Sequence, residues 1–483
     1  MAEVKTGAAH LASLRDGRAV YIDGERVEDV TAHPAFRNAV ASAGALYDYQ
    51  ARPENIERMT FVRDGGASEG YARINRCWQL PRSYEDLVAR RRALSEWAAL
   101  SCGFLGRAPD HVASSLLGQI IGIEVFRRHG QARADALVDY FDYASRHDLY
   151  LSYVIINPQA DRNKAWGEQE EDLVARLVDE DGAGITVRGA KMLGTAVIMA
   201  NEVLVANLQP LRPGEENLAI SFAVPVATPG LKVLSRKSFE AAAPSRADNP
   251  LAARFDENDA LIWFEDVKVP WERVFVYRDT DMCRAQFHDT LGHTFQNYQA
   301  QIRLAAKTKF LVGLAHRITE TIGTAAMPPV RETLGRLAAQ AAMVDGLVWG
   351  MEAKGHREGA YFVPDKHLMY AAQVLTQDLY PTLIDTVRGL AGGALIMLPS
   401  SERDWHNPEL AAIIEKTQRS PASGSKERVD FLKLAWDALG SEFAGRHTQY
   451  EMFYAGAPFV TCGHSYRTYD WEAAAAAVQQ MLT

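Results

Sequence analysis

Three groups of side chains in this sequence combine residue types and spacings that could do chemistry. The first lies in CGFLGRAPDH, Cys102 to His111, where two glycines and a proline interrupt a helical pattern and Arg107 and His111 fall four positions apart. A guanidinium keeps its charge at any working pH and can fix an anion. An imidazole titrates near neutrality and can take up or release a proton. The second is SYVIINPQADRNK, Ser152 to Lys164, an apolar strand running into an Asn-Pro turn that bears Gln159, Asp161 and Arg162. The third is His293 in GHTFQNYQ, early in a long helical pattern. By spacing alone each group also fits a plainer reading: a surface arginine with a helix-start histidine, an ordinary strand end, and a satisfied core or surface histidine. The sequence holds no GxGxxG after a strand, no Walker loop, no HExxH and no GxSxG, so a dinucleotide site of the doubly wound kind is excluded.

The elements that must position these groups change character twice along the chain. Residues 1–148 read as a mainly helical domain after a short hairpin, in which AVYI and ERVEDV flank the turn dipeptide Asp23-Gly24. SYEDLVARRRALSEWAALS opens with Ser83 and Asp86 at capping-box spacing, and Gly103 marks its C-terminal stop. Pro109 and Asp110 open the next helix, read as running to Gly130. Arg107 is thus expected in a helix–helix connection, with His111 in the first turn of a helix whose positive dipole end faces that connection. From 149 to 281 the period becomes two: LYLSYVII, ARLVDE, GITVRGAKML, NEVLVAN, LAISFAVPV, LKVLSRK and ALIWFEDVKVP are short β-rich runs, expected to form a β-barrel. From 282 to 483 four long helical patterns predict a four-helix bundle with a tail, the third helix containing Pro381.

Bulk properties narrow the function classes. The 483 residues, 47% apolar and 23% charged, carry a net charge of -9. These are the proportions of an ordinary globular chain, with no basic patch for nucleic acid and no membrane-spanning run. Cys77, Cys102, Cys283 and Cys462 are widely spaced with no CxxC pair. Together with an N-terminus that lacks a signal-peptide build, this predicts a cytoplasmic protein with reduced thiols and no metal site.

A series of segments along nearly the whole chain resembles the large, oxygenase component of two-component flavin-dependent aromatic hydroxylases, the 4-hydroxyphenylacetate 3-hydroxylase and chlorophenol monooxygenase family. The segments are DGRAVYIDGERVEDVTAHPAFRNA, RALSEWAALSCGFLGRAPDH, INPQADR, VRGAKMLGTAVI, LSRKSFE, RFDENDALIWFEDVKVPWERV, LPSSERDWHNPE and LKLAWDALGSEFAGRHTQYE. The resemblance implies an α+β chain with the acyl-CoA dehydrogenase fold: N-terminal helical domain, central β-barrel and C-terminal bundle. It implies that Arg107 lies in a phenol pocket beside the flavin, with His111 and Tyr153 also binding substrate. Tyr153, Val154, Ile155, Ile156, Gln159, Ala160, Asp161 and Arg162 resemble the flavin-contacting strand and turn, and Thr195 a flavin-contacting threonine. Tyr454, Ala455, Gly456 and Ala457 resemble a loop closing over the flavin, and His293 a histidine placed to accept the phenol proton. The implied cofactor is FAD, as FADH2 from a separate NAD(P)H-dependent flavin reductase, with molecular oxygen as co-substrate and a homo-oligomer, a tetramer, as the assembly.

One departure bears on the substrate. Relatives that act on 4-hydroxyphenylacetate carry tyrosine where this chain has His111 and histidine where it has Tyr153. The exchanged pair, with GRxPDH and His293, is more similar to the chlorophenol and nitrophenol oxygenases. The expected activity is hydroxylation of a chlorophenol, nitrophenol or simple phenol through a flavin hydroperoxide, with 4-hydroxyphenylacetate 3-monooxygenation as the alternative. Such chemistry needs an electron-rich ring. A neutral histidine can deprotonate the phenol, a guanidinium can hold the phenolate, and a dry site prevents loss of the activated oxygen. Two rivals predict otherwise. A radical flavin dehydratase needs three cysteines and a histidine around a cluster, whereas only Cys102 is near the right region and position 300 is alanine. A non-catalytic flavin-binding protein leaves Arg107 and His293 without a purpose.

Overall fold

The computed structural model describes residues 3–63, 69–158 and 160–482. Its central strands form two sheets. We number them β1 (Ala19–Ile22), β2 (Glu25–Val27), β3 (Leu151–Val154), β4 (Arg176–Asp181), β5 (Gly184–Lys191), β6 (Glu202–Val205), β7 (Ile220–Pro225), β8 (Leu231–Ser235), β9 (Ala260–Pro270) and β10 (Val274–Tyr277). The six-stranded sheet runs β2-β1-β8-β9-β5-β4 and the four-stranded sheet β10-β7-β6-β3. The hairpin turn at Asp23 and Gly24 has φ of 53° and 82°, the left-handed pair that a tight two-residue turn requires. That hairpin does not stay with the N-terminal helices: β1 pairs in parallel with β8, Val20 opposite Val233.

All seven β-rich runs form strands, but the expected closed barrel is not found. Closure requires the end strands to pair, and here each sheet ends on strands hydrogen-bonded on one side only: β2 and β4 in one, β10 and β3 in the other. The sheets instead face each other, Phe222 of β7 meeting Phe264 of β9 edge to face at 5.9 Å. Alternating apolar residues satisfy either arrangement, so the pattern alone does not separate them.

The helices that matter to the site are α1 (Tyr84–Leu100), α2 (Pro109–Ile121), α3 (Gly292–Ile322), α4 (Pro328–Ala353), α5 (Lys366–Ala391), α6 (Ser425–Leu439), α7 (Glu442–Phe453), α8 (Pro458–Thr468) and α9 (Trp471–Gln480). Ser83 caps α1 by accepting from the Asp86 amide at 3.2 Å, and Pro109 stands at the start of α2. Three long patterns break where the sequence reads as continuous. The helix from Pro109 stops at Ile121, and the next residue is Gly122, where a side chain would press on Thr290 at 2.8 Å. The helix expected from residue 282 is interrupted before Gly292. The fourth pattern splits at Gly440 into α6 and α7. Helices α3, α4 and α5 pack on one another, and α2 lies along α3. Pro381 falls inside α5. No helix among the described residues is long and apolar enough to cross a membrane.

Candidate active site

The connection between α1 and α2 is pinned at the backbone. Cys102 and Gly103 both take positive φ, 49° and 75°. A side chain at Gly103 would meet the Arg303 carbonyl of α3 at 2.7 Å, so only glycine lets the loop lie this close to the helix. Arg303 donates to the Gly103 carbonyl at 3.3 Å. The Arg107 amide donates to Glu257 Oε2 at 2.8 Å, and its carbonyl accepts from the Tyr150 hydroxyl at 2.8 Å. Arg107 therefore projects from a fixed point rather than a loose loop.

Its buried guanidinium lies between two aromatic faces, 5.1 Å from the Tyr153 centroid and 5.3 Å from the Tyr450 centroid. Such stacking holds the plane of an arginine. One terminal nitrogen reaches the Tyr454 carbonyl at 3.4 Å and the other faces His111 Nε2. His111 is fully buried, its ring stacked on Tyr153 at 5.6 Å. Its Nδ1 meets Gln299 Oε1 at 2.8 Å, and Gln299 in turn donates to Asp110 Oδ1 at 2.9 Å. An amide oxygen only accepts, so Nδ1 carries the proton. Nε2 is approached by Gln296 Nε2 at 3.0 Å and by Arg107 Nη1, both donors, and is left as the acceptor. The same Gln296 nitrogen donates to the Tyr153 hydroxyl at 3.0 Å. Burial, and then the Arg107 charge, holds His111 well below the ordinary imidazole range, so the ring is neutral. Burial pushes Asp110 up to about 6, against the pull of Gln299 and Arg90.

The expected flavin residues fall into three settings. Val154 is buried, and Tyr153, Ile155 and Ile156 are half-buried along β3 and its continuation, the Ile156 carbonyl accepting from the Met192 amide at 2.9 Å. Thr195 sits beside them: its carbonyl accepts from Ser152 Oγ at 2.7 Å and its hydroxyl donates to Asp259 Oδ1 at 2.6 Å. Leu193 and Ala196, on either side, take φ of 64° and 63°, a strained state for residues with a side chain and one that clusters at ligand sites. Beyond the strand, Ala160 and Arg162 are exposed, and Asp161 turns to the Asn163 amide at 2.9 Å. Gln159 lies outside the described residues. At the far end of α7, the Tyr454 hydroxyl accepts from Gln301 at 2.8 Å and the Gly456 carbonyl from Gln377 at 2.8 Å. Ala455 and Ala457 are half-buried with them.

Arg107, His111, Tyr153 and Tyr454 are thus brought together, while His293 is not bonded to any of them. Its ring lies 4.6 Å from His288, 5.6 Å from Tyr370 and 5.6 Å from His464, and its Nδ1 has no hydrogen-bond partner. Burial, with the neighbouring His288 and His464, keeps it well below the imidazole range. No group of three or more His, Cys, Asp or Glu among the described residues could hold a metal ion.

Sequence reasoning missed Gln296, Gln299, Asp110, Tyr450, Glu257 and Arg446. The last two form a half-buried joint: Arg446 donates to Glu257 at 2.6 Å and, through two nitrogens, to Asp259 at 2.6 and 2.9 Å. It links the Arg107 amide on one side to the Thr195 hydroxyl on the other. One signal was present in the sequence. Gln296, Gln299 and Arg303 recur at helical spacing in a stretch with few charges, and all three are buried.

Comparison with known proteins was made on this geometry. Residues 6–276 match the family model for the 4-hydroxyphenylacetate 3-hydroxylase N terminal region, and residues 283–483 match that for its C terminal region. The chain is 36% identical to the 4-hydroxyphenylacetate 3-monooxygenase oxygenase component of Pseudomonas aeruginosa, over 93% of this chain and 86% of that one. It is also 36% identical to the oxygenase component of a Rhodococcus 4-nitrophenol 2-monooxygenase, with the same coverage. A crystal structure of a 4-hydroxyphenylacetate 3-monooxygenase oxygenase component with FAD and 4-hydroxyphenylacetate superposes with a TM-score of 0.92 at 31% identity, covering 99% of this chain and 98% of that one. An archaeal 4-hydroxybutyryl-CoA dehydratase from N. maritimus superposes with a TM-score of 0.87 at 19% identity, which is a likeness of fold alone.

Proposed function

The chain belongs to the 4-hydroxyphenylacetate 3-hydroxylase family, and from that premise we propose that it is the oxygenase component of a two-component, FADH2-dependent phenol monooxygenase. The observation that carries this reading is the Arg107 guanidinium, stacked between Tyr153 and Tyr450 and facing the lone pair of a neutral His111. A fixed cation beside a proton acceptor is what a phenol that must ionise requires.

The residues present fit FAD. Among the described residues edge strand β3 pairs only with β6 and leads into half-buried Ile155 and Ile156, with Thr195 alongside, its carbonyl accepting from Ser152. This set combines an apolar wall with polar groups at its margin, as a flat ring with a polar rim demands. Tyr153, Val154, Ile155, Ile156, Thr195 and the segment Tyr454–Ala457 would hold it, with Ala160, Asp161 and Arg162 beyond the strand end. When bound, reduced FAD with molecular oxygen supplies an electrophilic oxygen atom. The chain's own part is to bind the phenol oxygen at Arg107, to keep that cation oriented between two rings, and to exclude water from a buried site.

Within the phenols, 4-hydroxyphenylacetate has the wider support, because several relatives and an FAD-bound structure carry its name. The His111–Tyr153 exchange keeps nitrophenols and chlorophenols in the panel, and a 4-nitrophenol enzyme is equally similar. The three-part layout is read as the acyl-CoA dehydrogenase arrangement with domains 1–148, 149–281 and 282–483, in a cytoplasmic homo-oligomer. The test supplies NADH, FAD, a flavin reductase and a panel of phenols, and counts hydroxylated product per NADH consumed. At least one phenol is expected to give coupled product. Hydrogen peroxide alone from every phenol refutes the reading.

A further inference from the structure

One buried amide on α5 fastens the segment that the cofactor reading places against FAD, and the inference rests on that reading. Helix α7 ends at Phe453 and α8 begins at Pro458, so residues 454–457 form the link between them. Gly456 takes φ of 106° in that link, a value that favours glycine. The carbonyls of a helix's last turn have no partner within the helix. Gln377 reaches one of them: its Nε2 donates to the Met452 carbonyl at 2.8 Å and to the Gly456 carbonyl at 2.8 Å. Its Oε1 accepts from Thr461 Oγ1 of α8 at 2.7 Å. Both residues are buried. We propose that Gln377 is a positioning residue for the cofactor: it latches the 454–457 link in its closed arrangement, and FAD enters and leaves when these bonds open.

An amide suits this task because it carries two donors and an acceptor in one plane. Both N–H groups and the oxygen are in use, so the side chain cannot turn without losing its hold on α7, the link and α8 together. The inner side of the link is held separately. The Tyr454 carbonyl accepts from Arg107 Nη2 at 3.4 Å, and its hydroxyl accepts from Gln301 of α3 at 2.8 Å. Gln301 also donates to Thr376, the residue before Gln377, at 3.1 Å. Neutral hydrogen bonds of this kind are each worth little, so the latch can open on the time scale of turnover. Gln373, one turn earlier on α5, is the same residue type and equally buried, yet neither of its amide atoms has a partner among the described residues. It serves as the internal control.

The test measures FAD binding to the full-length chain by quenching of flavin fluorescence, across pH. Gln377→Leu should weaken FAD roughly ten- to a hundredfold at every pH, the range for two neutral hydrogen bonds. Gln377→Glu keeps the shape and the bond from Thr461, but its ionised form turns an acceptor toward two carbonyls. Its affinity should be as poor as that of Gln377→Leu while the introduced carboxyl is charged. It should recover as pH falls and the acid regains a proton to donate. The ionisable groups around this point are Glu451 beside Met452, its partners Arg303 and Lys307 of α3, Tyr454, His464 of α8 and exposed Asp378 on α5 itself. Taking the ratio of variant to native at each pH cancels their titration. Thr461→Val removes one buried hydroxyl and should weaken FAD about two- to tenfold; it decides the matter if neither Gln377 variant folds. Gln373→Leu should bind FAD as the native chain does.

Native FAD affinity in Gln377→Leu or in Thr461→Val overturns the latch. So does a Gln377→Glu ratio that stays constant with pH, the result expected of a side chain that only fills space, or a Gln373→Leu protein as impaired as Gln377→Leu. The two readings fail separately. A native chain that binds no FAD removes the cofactor reading and the latch with it. The expected binding pattern with no coupled hydroxylation of any phenol leaves the latch standing and removes the monooxygenase reading alone.

Discussion

Arg107 does more than carry a charge: its plane is held by two rings and its backbone by two hydrogen bonds. Arg107→Lys keeps the charge and loses the fork and the stacking. It should raise KM roughly ten- to a hundredfold, the range for one charge-assisted hydrogen bond, and should do so alike for phenols of every acidity. Steady-state KM for three phenols of graded acidity checks this, and an effect confined to the weakest acid would contradict it. His111 variants should behave in the opposite way, hydroxylation of unsubstituted phenol falling about a hundred- to ten-thousandfold and that of an ionised nitrophenol far less. Arg107 and His111 were legible in the sequence because glycine and proline mark a break, and a break is where side chains are free of helical packing. Their supports were not. A glutamine in a helix is usually a surface residue, and only the packing of α2 on α3 buries Gln296 and Gln299 against His111. His293 stood out by residue type, and the chain placed it among other rings.

The α2–α3 contact is therefore the element that sets the site. A side chain at Gly118 would lie 2.2 Å from the Leu291 carbonyl oxygen just before α3. Gly118→Ala should cost about 1–3 kcal/mol through forced separation of the two helices. It should lower coupling as well, because His111 and Gln296 part together; a thermal melt and a product-to-NADH ratio check both effects. On its other face α3 is tied to α7 by a buried cluster in which Glu451 meets Arg303 Nη2 at 2.8 Å and Lys307 at 2.8 Å. Burial raises the Glu451 pKa, but the Arg303 and Lys307 charges outweigh it and bring it down to about 2. A carboxyl depressed in the folded state adds stability above its unfolded pKa of about 4.3, and that stability is lost as pH falls through the folded value. Denaturant titrations should lose a few kcal/mol between those two pH values in the native protein, and Glu451→Gln should flatten the profile. The strands were legible because period two is local. The break at Gly122 and the division into two sheets were not, since a single glycine does not by itself end a helical pattern and the sheets depend on which edges meet.

At the scale of the whole molecule the chain lacks two things that its reading requires from outside. It has no nicotinamide-binding motif, so the purified chain with FAD and NADH should leave NADH unoxidised until a flavin reductase is added. Steady loss of NADH absorbance without reductase would contradict this. It also ends in apolar surface with no cover of its own. Phe459 is 80% exposed, Tyr466 65% and Met481 79%, and α9 buries none of its residues. Single exposed apolar side chains are ordinary, but a run of large ones along the last helices is what a contact surface between chains would expose. A helix of that kind gains its stability by packing against another chain, and closed symmetric assemblies are the usual way to bury the same surface on every copy. The expected assembly is a homo-oligomer, a tetramer, with α8 and α9 in its interfaces. Light scattering at micromolar concentration should report four times the chain mass. Phe459→Ser combined with Trp471→Ser should shift the population to smaller species while the far-ultraviolet spectrum stays native. A native protein that scatters as a monomer ends the proposal, and a double variant that keeps the full mass moves the interface away from these helices.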